Sequence, residues 1–132
     1  MSQGQVRGRV LVVDDEPDLV RILQFGLQAA GYVVEFAPDG QEGLKKAREM
    51  KPDIILLDLM LPKLDGYKVC RMLKFDERYK QIPIIILSAR TQEGDQALAL
   101  EMGANRFITK PYDFTTILSL VEELLKASTL NP

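Results

Sequence analysis

"RVLVVDDEPDLV", from Arg9 to Val20, is the stretch that decides the fold of this chain. Its four apolar residues, Val10 to Val13, run directly into two adjacent aspartates, Asp14 and Asp15. An unbroken apolar run of this kind is typical of a strand that is covered on both faces, as in a parallel sheet. Pro17 then stands where a helix would begin, because its fixed φ suits the first helical position. The stretch predicts a buried strand, an acidic turn and a helix in succession.

Along the rest of the chain, short apolar runs alternate with segments whose apolar residues have helical spacing. Between the runs, apolar residues recur every three or four positions, as expected for helices that bury one side. Strictly alternating strands and helices predict an α/β fold, a doubly wound five-stranded parallel sheet with helices on both faces. The predicted strands are Val10–Val13, Val33–Ala37, Ile54–Leu57, Ile84–Leu87 and Phe107–Ile108.

The predicted helices carry start and stop signals. Gly31 is suited to end the first helix, because glycine readily adopts the left-handed conformation found there. Asp39 and Glu42 form a loose capping box for the second helix, and Thr91 and Asp113 are candidate caps for the fourth and fifth. The residues predicted to face the core are Leu19, Ile22, Leu23 and Leu27 in the first helix, Val69, Met72 and Leu73 in the third, and Ile117, Leu118, Val121, Leu124 and Leu125 in the fifth.

The composition of the chain excludes several classes of function. The 132 residues suffice for one domain, with 46% hydrophobic and 27% charged content, as in a soluble globular protein. A net charge of −2 gives no reason to expect direct nucleic-acid or anionic-membrane binding. The single cysteine, the lack of a secretory signal and the lack of a membrane-spanning run make the cytoplasm the expected location. The absence of histidine excludes histidine catalysis and histidine metal ligands.

Charged and polar residues stand at the predicted carboxyl ends of four strands. Asp14 and Asp15 follow the first strand, and Asp58 follows the third. Ser88 follows the fourth strand and Lys110 the fifth. Each has an ordinary structural interpretation, as a helix-dipole acid, a turn residue, a cap or a solvated lysine. Because the carboxyl ends of a parallel sheet share one edge, where ligands bind, the residues together predict a functional site.

The predicted carboxylate cluster needs a positive partner. Two like unit charges about 4 Å apart repel by roughly 4 kcal/mol at an effective dielectric near 20. An all-oxygen ligand set without histidine or thiolate suits a hard divalent ion, Mg²⁺ or else Mn²⁺. With Lys110 and Ser88 beside the ion, the residues favour an acceptor for a phosphoryl group, with a carboxylate as the nucleophile.

Four segments, in this order, resemble the receiver domain of two-component response regulators: VLVVDDEPD, PDIILLDLMLPKLDG, PIIILSA and GANRFITKP. The resemblance runs from about Arg9 to Lys126. It implies a flavodoxin-like (βα)5 fold with strand order 2-1-3-4-5, and a single receiver domain over residues 1–132 with its core at about 9–126. It also implies a phosphorylation-activated switch rather than a conventional enzyme, one that catalyses its own phosphorylation and slow autodephosphorylation.

The resemblance assigns roles to the acidic residues. Asp58 would be the phosphoacceptor. Asp15 and Asp58 would ligate Mg²⁺ directly, together with the backbone carbonyl of Met60. Asp14 would hold metal-bound water and help to position the ion.

The resemblance also implies a switch. Ser88 would close onto the phosphate and Lys110 would pair with it. Phe107, at a position where tyrosine is common, would turn inward when Ser88 moves. The signal would then leave through the face built by the fourth helix, the fifth strand and the fifth helix. The Lys110–Pro111 peptide bond is commonly cis in this family.

The implied phosphoryl donor is a sensor histidine kinase or a phosphotransfer protein. Since the chain has no histidine, the donor must be a second protein or a small acyl phosphate. At the positions of Met60 and Arg90, the sequence resembles in part the receivers of winged-helix transcription factors. Those receivers usually dimerise through ion pairs. The residues that usually form these pairs are missing here, where the chain has Asn105, Arg106 and Leu120. The expected partners are therefore the kinase, an output partner of unknown identity and a weak phosphorylation-dependent homodimer.

Other functions fit parts of the pattern. A Mg²⁺-dependent phosphatase of the haloacid-dehalogenase type also uses an aspartate nucleophile, but Asp14-Asp15-Glu16 lacks its Asp-x-Asp spacing. A phosphorylation-independent interaction module would have lost the acceptor, the acidic pair or the lysine, and all are present. A nucleotide-binding module would need a glycine-rich phosphate loop, which follows no predicted strand. The sequence holds no recognisable output domain, and this leaves open whether the chain acts on separate partners or is part of a larger regulator.

Overall fold

The computed structural model describes residues 7–60, 65–89 and 95–130. Strands and helices alternate throughout these ranges, as the sequence predicts. The strands are β1 (Arg9–Val13), β2 (Val33–Ala37), β3 (Ile54–Asp58), β4 (Ile84–Ser88) and β5 (Arg106–Thr109). The helices are α1 (Pro17–Ala29), α2 (Gly40–Met50), α3 (Gly66–Lys74), α4 (Asp95–Glu101) and α5 (Phe114–Leu130).

The five strands form one parallel sheet in the order β2-β1-β3-β4-β5. The predicted doubly wound architecture and strand order are therefore confirmed. Val13 pairs in register with Leu57, so the ends of β1 and β3 lie side by side. Ser88 pairs with Thr109 at the end of β4 and β5. The carboxyl ends of these four strands accordingly form one rim.

Alternate residues of the strands pack into two separate cores, one on each face of the sheet. The α2–α4 core contains buried residues of α2, α3 and α4, such as Leu44, Val69 and Ala99. The α1–α5 core contains Leu23 of α1 and Ile117 of α5. The four apolar residues of β3 and of β4 are all buried, as expected for strands covered on both faces, and the polar residues that end these strands, Asp58 and Ser88, are buried as well. Within the described residues, no helix combines the length and apolar character needed to cross a membrane.

The predicted helix boundaries are largely observed. Pro17 occupies the first turn of α1, and Gly31 adopts a φ of 102° just beyond its end. The side chain of Asp39 accepts a hydrogen bond from the backbone N–H of Glu42 at 2.8 Å and so caps α2. The candidate cap Thr91 lies outside the described residues.

Two of the predictions for core-facing residues are wrong. Ile22 of α1 is 61% exposed and Met72 of α3 is 43% exposed, whereas Val20 and Cys70 are buried in the corresponding helices. A helix buries a stripe of only limited width, and a residue at its edge is covered only if a neighbouring element reaches it. The apolar spacing specifies that a stripe exists, but it does not fix which edge of the stripe is covered.

Candidate functional site

The acidic turn after β1 and the ends of the other strands place the site residues at the rim. The backbone N–H of Asp14 donates to the carbonyl of Ala37 at 3.0 Å, which holds the turn beside β2. Asp58 and Ser88 are the last residues of β3 and β4. The backbone N–H of Lys110 donates to the carbonyl of Ser88 at 2.7 Å, so the chain carries this lysine directly across the end of β4.

Lys110 lies at the centre of the site. Its Nζ donates to Asp14 Oδ2 at 3.1 Å and to Asp58 Oδ2 at 3.3 Å. It also donates to Glu16 Oε1 at 2.9 Å. The side chain of Asp14 is 1% exposed, that of Asp58 6% and that of Lys110 13%, whereas Glu16 is 60% exposed. Two carboxylates are thus buried against one ammonium group, and the third reaches in from the surface.

The carboxylates that meet are Asp14, Glu16 and Asp58, which can place one oxygen each within 4.8 Å of one another. The sequence instead predicts a cluster of Asp15 with Asp14 and Asp58. Asp15 is exposed, and it borders a surface pocket of about 300 Å³ beside Asp14. Asp14 Oδ1 accepts the backbone N–H of Glu16 at 2.9 Å, and the tight turn this makes brings Glu16 to Lys110.

Burial dominates the electrostatics of the two inner carboxyl groups. It raises the pKa of Asp14 above its ordinary value, although the N–H of Glu16 and the charge of Lys110 oppose the shift. Burial likewise raises the pKa of Asp58, against the N–H of Met60 and Lys110. Burial alone would lower the pKa of Lys110, but the bond to Glu16 and the charges of both aspartates outweigh it and raise that pKa. The site therefore holds its lysine charged and has more negative charge than one lysine neutralises.

The remaining predicted residues surround this cluster. The backbone N–H of Met60 donates to Asp58 Oδ1 at 3.0 Å, while the Met60 side chain is 57% exposed. Ser88 is fully buried. Phe107 on β5 is half-buried and packs against the α2–α4 core. The Lys110–Pro111 peptide bond is cis, as the resemblance implied, and Arg90 lies outside the described residues.

Gly66 was not singled out from the sequence, although it supports the acceptor strand. Its backbone N–H donates to the carbonyl of Leu59 at 3.1 Å. A Cβ atom at this position would meet the carbonyl oxygen of Asp58 and would lie 2.7 Å from the Cα of Leu59. Only a residue without a Cβ fits this close to the end of β3, and the Asp-Gly pair in "KLDG" was the signal available in the sequence.

The donor set fits a hard divalent cation. It consists of carboxylate oxygens that converge at a partly exposed rim, with neither imidazole nor thiolate among them. A cation there would offset the charge that Lys110 leaves unbalanced. A lysine beside a buried carboxylate at the end of a parallel strand can also stabilise an added anionic group.

Residues 10–122 match the response regulator receiver domain family, and the chain belongs to this family. It is a receiver domain of the two-component response regulator class, whose general function is a phosphorylation-controlled switch. The fold and the order of the segments quoted from the sequence both agree with this assignment.

Similar proteins include two transcriptional regulators. The alkaline phosphatase synthesis transcriptional regulatory protein PhoP of Bacillus subtilis is 45% identical over 120 residues, which is 91% of this chain and 49% of the relative. The DNA-binding dual master transcriptional regulator RpaA of Synechocystis is 42% identical over 118 residues, 89% of this chain and 49% of the relative. The chain thus spans about half the length of these curated relatives. Among solved structures, the Francisella response regulator 1452 receiver domain superposes with a TM-score of 0.86 at 28% identity, covering 92% of this chain and 99% of that one.

Proposed function

We propose that this chain is a single receiver domain, in the cytoplasm, that accepts a phosphoryl group on Asp58 from a sensor histidine kinase or a phosphotransfer protein. The observation that carries the proposal is the position of the Lys110 ammonium, 3.3 Å from the Asp58 carboxylate at the end of β3. Asp58 is the buried last residue of the central strand β3, and its carboxylate accepts hydrogen bonds from both Lys110 and the backbone N–H of Met60.

In the proposed step a carboxylate oxygen of Asp58 attacks the phosphorus of the donor's phosphohistidine. The phosphorus–nitrogen bond breaks, and its electron pair stays on the departing imidazole. Lys110 then turns from the carboxylates to the new phosphoryl oxygens, which carry more charge than the carboxylate they replace. Ser88 closes onto the same group as a hydrogen-bond donor. No further residue is needed for this rearrangement, because Lys110 already contacts Asp14, Glu16 and Asp58.

We propose that Asp15, Asp58 and the backbone carbonyl of Met60 hold Mg²⁺, with Asp14 acting through a metal-bound water. Mg²⁺ would neutralise the carboxylates and the transferring phosphoryl group, and Mn²⁺ could replace it. Two features favour Asp15 over Glu16 as the ligand. Glu16 is held by Lys110 at 2.9 Å, whereas Asp15 is exposed beside the cluster.

Magnesium is expected to raise the melting temperature of the unphosphorylated protein. The cation relieves repulsion that exists only in the folded state, so at about 100 times its Kd it adds roughly 2.7 kcal/mol. Asp15→Asn should abolish most of this shift, whereas the matched variant Glu16→Gln should keep at least half of it. Thermal unfolding with and without millimolar MgCl₂ measures the difference. An unchanged melting temperature in wild type would contradict the metal site, and the reverse order of the two variants would identify Glu16 as the ligand.

The output face is proposed to be that of α4, β5 and α5. Phe107 pairs in register with Ile86, two residues before Ser88, so the two switch residues stand on adjacent strands. Phe107 is half-buried, so part of its ring surface is still available to be buried when the ring turns inward. Burying such a ring fully is worth roughly 1.5–3 kcal/mol, enough to bias a two-state surface.

The residues that replace the usual dimer ion pairs are bound within the chain. The Asn105 side chain accepts the backbone N–H of Ile84 at 2.9 Å, and Arg106 pairs with Glu123 at 3.3 Å. Neither side chain is free to pair across an interface without losing its bond. This favours binding of a partner, or a weak homodimer, over a tight dimer.

Association through this face should depend on phosphorylation and on Phe107. Sedimentation with and without beryllofluoride, a phosphoryl mimic, is expected to show weak self-association only with the mimic. Phe107→Ala should abolish that association while Asp58 still takes up a phosphoryl group, because the ring lies away from the acceptor. Phe36→Ala, which removes an exposed ring from β2 at the other edge of the sheet, is the control and should change nothing. A dimer of equal affinity with and without the mimic would refute the switch.

A further inference from the structure

The hydroxyl oxygen of Tyr112 is buried and has no hydrogen-bond partner. Within residues 7–60, 65–89 and 95–130, it is the one buried side-chain oxygen or nitrogen of which this is true. Buried polar groups in folded proteins are nearly always paired, so an orphan hydroxyl calls for an explanation. Tyr112 follows the cis Lys110–Pro111 bond and packs against the α1–α5 core, directly beside the rim.

This hydroxyl lies within electrostatic reach of the site. Burial raises the pKa of Tyr112 to about 12, and the charges of Asp14, Glu16 and Asp58 add to the shift while that of Lys110 opposes it. The phenol therefore stays protonated at neutral pH and can act as a neutral hydrogen-bond donor. In the unphosphorylated protein the neighbouring carboxylates already have Lys110 as their donor.

Phosphorylation would change which groups need a donor. Asp14 is 1% exposed, with Oδ1 bonded to the backbone N–H of Glu16 and Oδ2 bonded to Lys110. When Lys110 turns to a phosphoryl group, Asp14 Oδ2 loses its one side-chain donor among the described residues while it remains buried, and apart from Tyr112 only a metal-bound water could replace it. A buried carboxylate oxygen without a donor is strongly unfavourable. The buried, unpaired Tyr112 hydroxyl is a donor within electrostatic reach of Asp14.

We propose that Tyr112 is a positioning residue, whose hydroxyl donates to the Asp14 carboxylate once Lys110 has turned away to the phosphoryl group. This inference rests on the proposed function, in which Lys110 moves. The tyrosine would hold Asp14 in place while the site is phosphorylated, and its hydroxyl is unpaired beforehand because its partner is still occupied.

A double-mutant cycle tests the hydrogen bond without any phosphorylation. Lys110→Met takes the ammonium away from Asp14, and Tyr112→Phe removes only the hydroxyl. With Lys110 present, Tyr112→Phe should leave the melting temperature unchanged or raise it, since no bond is lost. In the Lys110→Met background the same change should lower it by about 4 °C, because a bond to a charged group is lost. Equal shifts in the two backgrounds would mean a merely structural role and would overturn the proposal.

Beryllofluoride binding is a second measurement of the proposed hydrogen bond. It is sufficient by itself if the Lys110→Met variant does not fold. Tyr112→Phe should bind the mimic about tenfold more weakly than wild type, one charge-assisted hydrogen bond being lost. Tyr79→Phe is the matched control, because Tyr79 is a buried tyrosine in the α2–α4 core, and its affinity should equal that of wild type. Unchanged affinity in Tyr112→Phe would overturn the proposal. If wild type itself neither binds the mimic nor takes up phosphate, the proposed function fails, and the double-mutant cycle still tests the hydrogen bond.

Discussion

Replacing Asp58 with asparagine is expected to abolish phosphorylation altogether. Wild type incubated with acetyl phosphate and Mg²⁺ should gain one phosphoryl group, seen as a single mass increment, and the variant should gain none. The amide has no anionic oxygen to attack phosphorus, yet its Oδ1 can still accept the N–H of Met60, so the local structure should survive. Chelation of the metal should have the same effect on wild type.

Asp53→Asn is the matched control for this result. Asp53 lies just before β3, at the opposite end of the strand from Asp58, where its Oδ2 accepts the backbone N–H of Arg9 at 2.7 Å. It is also an aspartate beside the sheet, but far from Lys110. This variant should be labelled like wild type. Labelling of Asp58→Asn at the wild-type level would show that another residue is the acceptor.

The Asp58→Asn substitution should also stabilise the metal-free protein. Burial raises the folded-state pKa of Asp58, which means that its ionised form is held at a cost in the native state. The contribution of Asp58 to the free energy of unfolding is therefore fully present below the pKa of about 4 that its carboxyl group has in the unfolded chain. This contribution is lost as the pH rises through the higher pKa of the folded state. At pH 7 the neutral asparagine avoids that loss, and we expect the free energy of unfolding to rise. Urea unfolding at pH 7 and pH 4 measures it, and the gain should shrink at the lower pH.

Replacing Gly66 with alanine is expected to have the largest effect on stability, a loss of about 3 kcal/mol. The new Cβ would meet backbone atoms, the Asp58 carbonyl and the Cα of Leu59, and backbone at the end of a buried strand cannot move aside as a side chain can. Alanine is intrinsically better than glycine inside a helix by up to about 1 kcal/mol, so a loss here can come only from the close approach. Urea unfolding measures the loss, and phosphorylation of Asp58 should slow as well because the acceptor is displaced.

Gly8→Ala is the control for this prediction. Its Cβ would lie 3.4 Å from the nearest atoms, in Asp53 and Leu125, which is ordinary van der Waals contact. We expect its stability to stay within about 0.5 kcal/mol of wild type. If Gly66→Ala were as stable as Gly8→Ala, the approach of α3 to the acceptor strand would not be the constraint described above.

Local sequence determined the architecture to a large extent. Unbroken β-branched runs identified strands that are buried on both faces, and Pro17, Gly31 and Asp39 marked helix ends through backbone geometry that each residue imposes by itself. Once strands and helices alternate, the handedness of the connections leaves few topologies, and the carboxyl ends of the strands must share a rim. For that reason the sequence alone is enough to predict that Asp14, Asp58 and Lys110 meet.

Only the tertiary structure decided which neighbours fill each position at that rim. Asp14, Asp15 and Glu16 are adjacent acids, and the sequence cannot say which of them turns toward Lys110, since that depends on a hydrogen bond from the Glu16 N–H to Asp14 that closes the turn. Val20 rather than Ile22 is buried, because coverage at the edge of a helix stripe depends on packing against distant elements. The lone hydroxyl of Tyr112 is likewise a property of the assembled core. Pattern and propensity act over a few residues, whereas these outcomes are set by contacts between segments nearly a hundred positions apart, such as Lys110 with Asp14.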